Sequence, residues 1–322
     1  MDSGLRRSDG VHSIMRPFIS ALQGNVNNQP AKGHEKTMKK LLLNDGNKIP
    51  IAGFGTYKVE GREGIEAVEN AIANGYRLID TASFYDNEEV VGIGIKNSGI
   101  DRDELFVTTK LWRDRLGYTS TKGELERSLK KLGLDCIDLY LIHWPANAKN
   151  YTNWQQTNAD TWRAMEELQA EGKIRSIGVS NFRQKHLDAL FQTAHVIPAV
   201  NQIEFHPGYW QPEVTEYCRK RNIVVEAWSP LARGKVFDNG VLKEVAGKHR
   251  KSVSQVCLRW IIQHEVVVIP KSTNKERIVD NGNLFDFELT EKEMKLIDTI
   301  PEMGFSGESP DLWPDILGKN DS

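Results

Sequence analysis

LIDTASFYDNEEVVGIGIKNSGIDRDELFVTTKLW, residues 78–112, reads as a strand, a helix and a second strand. LIDTA (78–82) and LFVTTKLW (105–112) are short apolar strands, and the segment through Val90 and Ile93 is the helix between them. A strand, helix, strand series of this kind is a parallel βαβ unit. The alternation continues in both directions. Upstream lie AGFGT (52–56) and a helix whose apolar face carries Ile65, Val68 and Ile72, preceded by LLLNDGNKIP (41–50). The Asp45-Gly46 pair in that segment marks a hairpin turn. Downstream, a helix capped by Thr121 and Glu124 buries Leu125, Leu129 and Leu132. DLYLIHW (138–144) follows, then a helix with Trp162, Met165 and Leu168. IRSIGVS (174–180), AVNQIEF (199–205), IVVEAWS (223–229), a helix opening at Ser252 and Gln255, and VVVIP (266–270) complete the series. Eight strands separated by helices fit a closed (β/α)8 TIM barrel in the α/β class, with an N-terminal β-hairpin. A doubly wound sheet fits less well, because no G-x-G-x-x-G opens the first unit.

The chain has 322 residues, 39% of them hydrophobic, and such a barrel commonly forms from about 250 as one domain. That domain is expected over residues 38–322, with a C-terminal tail from about residue 301. Lys and Arg total 42 against 44 Asp and Glu, a net charge of −2. A near-neutral chain has no global attraction for nucleic acid or an anionic membrane, so any basic site must be local. Cys136, Cys218 and Cys257 are widely spaced and form no metal-binding pattern. They read as thiols of a reducing compartment, the cytoplasm. No apolar run approaches the roughly 20 residues of a membrane helix. Residues 1–37 stand apart as an extension expected to be disordered. Val11, Ile14, Met15, Phe18, Ile19 and Leu22 have helical spacing there, with Arg6, Arg7 and Arg16 nearby, a weak match to an organellar targeting peptide.

Three strands end on ionisable groups where apolar strands normally close on Gly, Pro or Asn: Asp80 with Tyr85, Lys110, and His143. A parallel barrel brings those carboxyl ends to one face, where such folds build active sites. A tyrosine phenol, with a pKa of about 10, is too weak an acid to release a proton readily at neutral pH. A neighbouring lysine ammonium favours the phenolate, and an aspartate beyond the lysine holds the ammonium in place. A histidine can hydrogen-bond and orient a carbonyl. Together these groups could supply a proton to an oxygen that gains negative charge. No His-x-His or carboxylate cluster lies at a strand end, which argues against a metal-dependent hydrolase.

GYRLIDTASFYDNE, TTKLW and DLYLIHWP resemble the catalytic segments of the aldo-keto reductase family, and the similarity runs from about Leu41 to about Pro301. The resemblance implies Tyr85 as general acid, Lys110 and Asp80 as its tuners, and His143 as the group that positions the carbonyl. It also implies a nicotinamide cofactor as hydride donor to a small-molecule aldehyde or ketone. Some relatives on this barrel serve as regulatory or structural proteins, so a binding role is the alternative, although it would not require all four residues. A monomer or weak oligomer is expected.

Ser180, Asn181 and Gln202 have the donors and acceptors to grip a carboxamide, and Trp228 a face to stack on a nicotinamide ring. Ser229 and Leu231 resemble the pyrophosphate loop, and Thr56 belongs to the same cofactor surface. In IPKSTNKERIVDN (269–281), Lys271, Ser272 and Arg277 put two cations and a hydroxyl near a helix N-terminus, an anion site. The resemblance assigns it, with Thr273, to the 2′-phosphate of NADP(H), and Asp280 and Asn281 to the adenine. Tyr57, Trp112 and Trp144, with His143, are the expected substrate walls. The 146–160 loop and the tail residues Phe305 and Trp313 are expected to set selectivity.

Overall fold

The strands Phe106–Leu111 and Ile137–Ile142 are buried at every position. A strand with no exposed face must be covered on both sides, the condition of a parallel sheet wrapped in helices. The computed structural model describes residues 39–311. Two strands, β1 (Lys40–Leu42) and β2 (Lys48–Pro50), form the antiparallel hairpin, with Leu41 opposite Ile49. The hairpin turn uses Gly46 at φ 89°, in the left-handed region that glycine enters without strain.

Eight parallel strands follow. They are β3 (Phe54–Gly55), β4 (Leu78–Asp80), β5 (Phe106–Leu111), β6 (Ile137–Ile142), β7 (Ile174–Ser180), β8 (Val200–Glu204), β9 (Val224–Trp228) and β10 (Val267–Val268). Each pairs with its sequence neighbour. The sheet closes where Ala52 pairs with Val268 in parallel: Val268 N donates to Ile51 O at 3.0 Å and Gly53 N to Val268 O at 2.7 Å. Closure removes both sheet edges and makes a barrel.

Side chains alternate between the barrel interior and the helix layer. Leu78, Phe106, Leu139, Leu141, Val200, Val267 and Ile269 face inward and pack on Leu43 and Ile49 of the hairpin. Ile79, Val107, Tyr140 and Ile142 face outward, against the helices. The hairpin therefore stoppers the amino end of the barrel. Farther along the same inward rows, two or four residues toward the carboxyl ends, come Asp80, Lys110, His143, Gln202, Glu226 and Trp228. One period-2 pattern thus changes from apolar to polar as each strand rises to its carboxyl end. Gly178 is required where strands crowd, since a Cβ there would lie 2.7 Å from both Leu141 Cδ2 and Val200 O.

Two expectations need correction. The Thr121–Glu124 capping box does not form: helix Tyr118–Leu132 starts earlier, with Gly117 as its cap, and Thr121 Oγ1 donates back to Gly117 O at 2.6 Å. The Ser252–Gln255 box does form, at 3.0 and 3.2 Å. The helix expected through Val90 and Ile93 runs over Glu88–Ser98; it buries Val91 and Ile95 and leaves Ile93 46% exposed. The 146–160 segment is not all loop, since helix Trp154–Ala170 takes its second half. Asn158, buried in that helix, bonds both Ala146 N and Ala146 O, so its polarity ties the loop down.

Candidate active site

Lys110 is fully buried, and its ammonium donates to Asp80 Oδ1 at 2.6 Å, Thr81 O at 2.9 Å and Tyr85 Oη at 3.4 Å. All three ammonium protons are therefore directed. The inward turn of Lys110 and Asp80 follows from strand parity, with Leu78 and Phe106 two and four positions below them. Tyr85 comes from the short helical turn Ser83–Tyr85 after β4, tied to β5 by Ser83 Oγ donating to Lys110 O at 2.9 Å.

Burial pushes the Tyr85 phenol up to about 12, against the pull of Lys110 in the other direction. The expected lysine effect is present, but desolvation exceeds it, so Tyr85 holds its proton throughout the neutral range. Burial likewise raises the Asp80 carboxyl, opposed by Lys110 and Gln202. For Lys110, burial lowers the ammonium, but Asp80 and Tyr85 outweigh it and leave it raised. Burial, with Lys110 and Arg113, holds His143 well below the ordinary histidine range. His143 is thus a neutral imidazole with one N–H to donate.

Asp80, Tyr85 and His143 line a cavity of about 420 Å³ at the carboxyl end of the barrel, and Lys110 is buried behind them. Tyr57, Trp112 and Trp144 are among the residues lining it. Phe84, overlooked in the sequence, stacks on Trp112 with ring centroids 3.7 Å apart. The tail contributes Glu308, ion-paired to Arg233 on the opposite rim. Ser306 anchors the tail through N and Oγ to the buried Glu204 at 3.0 and 2.8 Å. Phe305 packs on Tyr209 and does not line the cavity. Trp313 and residues 1–37 lie outside the described residues.

Several expected cofactor residues hold one another. Trp228 Nε1 donates to Asn181 Oδ1 at 2.8 Å, fixing the indole at the cavity wall. Asn181 Nδ2 donates to His143 O and Ser180 Oγ, and Ser180 Oγ donates to Gln202 O. Gln202 Nε2 donates to Asp80 Oδ2 at 2.9 Å and Glu226 Oε2 at 2.8 Å, leaving Oε1 as its acceptor. Thr56 Oγ1 donates to Asp80 O. Asn181 and Ser229 take left-handed φ values of 62° and 52°. Such strain at non-glycine residues clusters at ligand sites.

A dinucleotide phosphate fits this surface. Ser229 Oγ is buried without a protein partner among the described residues, beside Leu231 in the loop after β9. Lys271 is exposed at the cavity edge. Ser272 and Thr273 lead into helix Lys275–Gly282, and Arg277 is in its first turn. These cations and the N-terminal end of the helix are what an anion would need, with Arg277 N already donating to Asn274 Oδ1 at 2.9 Å. Asp280 and Asn281 sit farther along that helix, away from the central cavity; Asp280 accepts from Ser252 Oγ at 2.7 Å.

Comparison with known proteins decides the family. Residues 52–302 match the model of the Aldo/keto reductase family. The chain belongs to it. This aldo/keto reductase is 51% identical to a glyoxal reductase of Bacillus subtilis over 84% of its own length and 96% of that protein's. It is 48% identical to the 9,11-endoperoxide prostaglandin H2 reductase of Trypanosoma cruzi, over 84% and 94% of the two chains. The Bombyx mori aldo-keto reductase, solved with NADP, superposes with a TM-score of 0.74 at 40% identity, covering 82% of this chain and 93% of that one. The (β/α)8 barrel and carbonyl oxidoreductase class are those of the family. Among the described residues no helix is long and apolar enough to cross a membrane, and no metal-binding cluster occurs.

Proposed function

We propose that this aldo/keto reductase reduces small aldehydes and ketones with NADPH, reversibly, and that Tyr85 gives the carbonyl oxygen its proton. The observation that carries the proposal is Lys110 Nζ, held between Asp80 Oδ1 at 2.6 Å and Tyr85 Oη at 3.4 Å at the base of an aromatic-walled cavity. NADPH supplies the hydride to the carbonyl carbon. As negative charge grows on the oxygen, Tyr85 donates its proton, and the nascent phenolate faces the Lys110 ammonium. An alkoxide is a stronger base than a phenolate, so a phenol at about 12 still gives up its proton downhill. Neutral His143 donates its N–H to the same oxygen and sets its position.

Ser180, Asn181, Gln202 and Trp228 hold the nicotinamide end in this reading. Ser229 and Leu231 take the pyrophosphate, and Lys271, Ser272, Thr273 and Arg277 the 2′-phosphate. The walls formed by Tyr57, Phe84, Trp112 and Trp144 favour flat or apolar carbonyl compounds. The similarity to a glyoxal reductase adds small dicarbonyls to the class to be tested. A purely regulatory barrel would gain nothing from burying a lysine–aspartate pair whose third donor points at a phenol. The test is NADPH oxidation with glyoxal and with a nitro-substituted benzaldehyde. Turnover that Tyr85→Phe abolishes supports the reading; no turnover with either compound, or an unaffected variant, refutes it.

A further inference from the structure

A second carboxyl group lies beneath the catalytic pair. Glu226 on β9 is completely buried, and its Oε2 accepts from Gln202 Nε2, whose other proton goes to Asp80. Glu226 Oε1 has no partner among the described residues. Facing it inside the barrel are Asp80 from β4 and Lys110 from β5, with the neutral Gln202 of β8 between them. On β10 its register neighbour is Val267, and Glu204, two residues up β8, is turned to Ser306. The buried cluster therefore has two carboxyl groups and one cation. Asp80 takes the ammonium directly, at 2.6 Å, and remains the anion. Glu226 has only an amide, and a buried carboxylate with one oxygen unbonded is costly.

We propose that Glu226 is a positioning residue that carries a proton in the working enzyme, and that its ionisation switches off carbonyl reduction at alkaline pH through Gln202, Asp80 and Lys110. The inference rests on Tyr85 being the acid. With its proton on, Glu226 leaves Lys110 to a single counter-ion, and the ammonium can stabilise the phenolate that forms as Tyr85 donates. With its proton lost, a second negative charge shares the ammonium, the phenolate is less favoured, and Tyr85 becomes a weaker acid. Burial, with Asp80 adding to it, pushes the Glu226 carboxyl up to about 8, within the range where enzymes are assayed.

The test compares wild type, Glu226→Gln and Glu226→Asp by the single-turnover rate of NADPH oxidation across pH. Single turnover removes product release from the readout. Glutamine cannot ionise and reproduces the protonated state. Wild type should lose rate as pH passes about 8, whereas E226Q should keep it. At one pH unit above that midpoint E226Q should be faster by about tenfold, the deficit of a form that must be protonated to act. E226D, still ionisable, should retain an alkaline limb. An E226Q limb coincident with that of wild type overturns the proposal, as does uniform slowing of E226Q at every pH. If neither variant folds, a wild-type rate that stays level from neutral pH to about pH 9 overturns it unaided. Tyr85→Phe separates the two levels: if it keeps full turnover, the acid assignment has failed. If it is inactive while E226Q leaves the limb in place, only the role of Glu226 has failed.

Discussion

Replacing Lys110 with methionine fills the same space while removing the cation of the buried cluster formed with Asp80 and Tyr85. The ammonium serves Asp80 Oδ1, Thr81 O and Tyr85 Oη, and Lys110 is fully buried. Removing one partner of a buried ion pair costs about 3–5 kcal/mol, because the other charge is left uncompensated. In the variant, Asp80 keeps one bond, from Gln202, and its folded carboxyl rises further above its unfolded value. A raised carboxyl binds protons more tightly in the folded state. The penalty is therefore small below the ordinary carboxylate range, grows as pH rises through it, and is complete above the raised folded value. Urea unfolding of K110M followed by tryptophan fluorescence should show about 3–5 kcal/mol lost at pH 8 and much less near pH 4. Adding Asp80→Asn removes the orphan charge, so the double variant should be more stable than K110M at pH 8. Turnover should fall by about 10²–10⁴-fold, the range of a general acid deprived of its support. A K110M loss under about 1 kcal/mol at pH 8, or a double variant no more stable than K110M, would refute a buried, mutually dependent pair.

Two further outcomes can be checked independently. Lys271→Ala with Arg277→Ala should weaken NADPH binding by about 10–100-fold, since a hydrogen bond to a charged group contributes about 1.5–3 kcal/mol. NADH binding, measured by the same fluorescence titration, should change little; equal losses would remove the phosphate assignment. His143 is held well below the ordinary histidine range by burial and by Lys110 and Arg113, so it stays neutral on mild acidification. The pH profile of kcat/KM for reduction should lack a limb near the ordinary histidine value of about 6.5. A limb there that His143→Gln removes would show that the imidazole titrates in the accessible range.

The barrel and the four candidate catalytic residues were legible because Asp80, Lys110 and His143 interrupt apolar strands where nothing local favours an ionisable group. Parity then turned them inward together, since each follows Leu78, Phe106 or Leu141 on the same strand face. Glu226 bears the same sign within VVEAW, but it took the packed interior to show its tie to Asp80 through Gln202. Phe84 was hidden by its neighbour Tyr85, because a loop aromatic has no period to give it a direction. The Glu204–Ser306 and Arg233–Glu308 contacts join residues 102 and 75 positions apart, beyond any local pattern. The helix that starts at Tyr118 was misread because its cap, Gly117, has no side chain to signal it. The Tyr85 phenol was misjudged for a different reason: a nearby lysine can be read from sequence, but desolvation depends on everything packed around the ring.

Tyr85→Phe keeps the ring and deletes only the hydroxyl that faces Lys110. Its rate of NADPH oxidation by an aldehyde in a single turnover, with NADPH affinity measured alongside, is the most direct test. Cofactor binding should stay intact while the rate falls by about 10²–10⁴-fold. A variant that binds NADPH and reduces the aldehyde at the wild-type rate would contradict the role of Tyr85 as the acid.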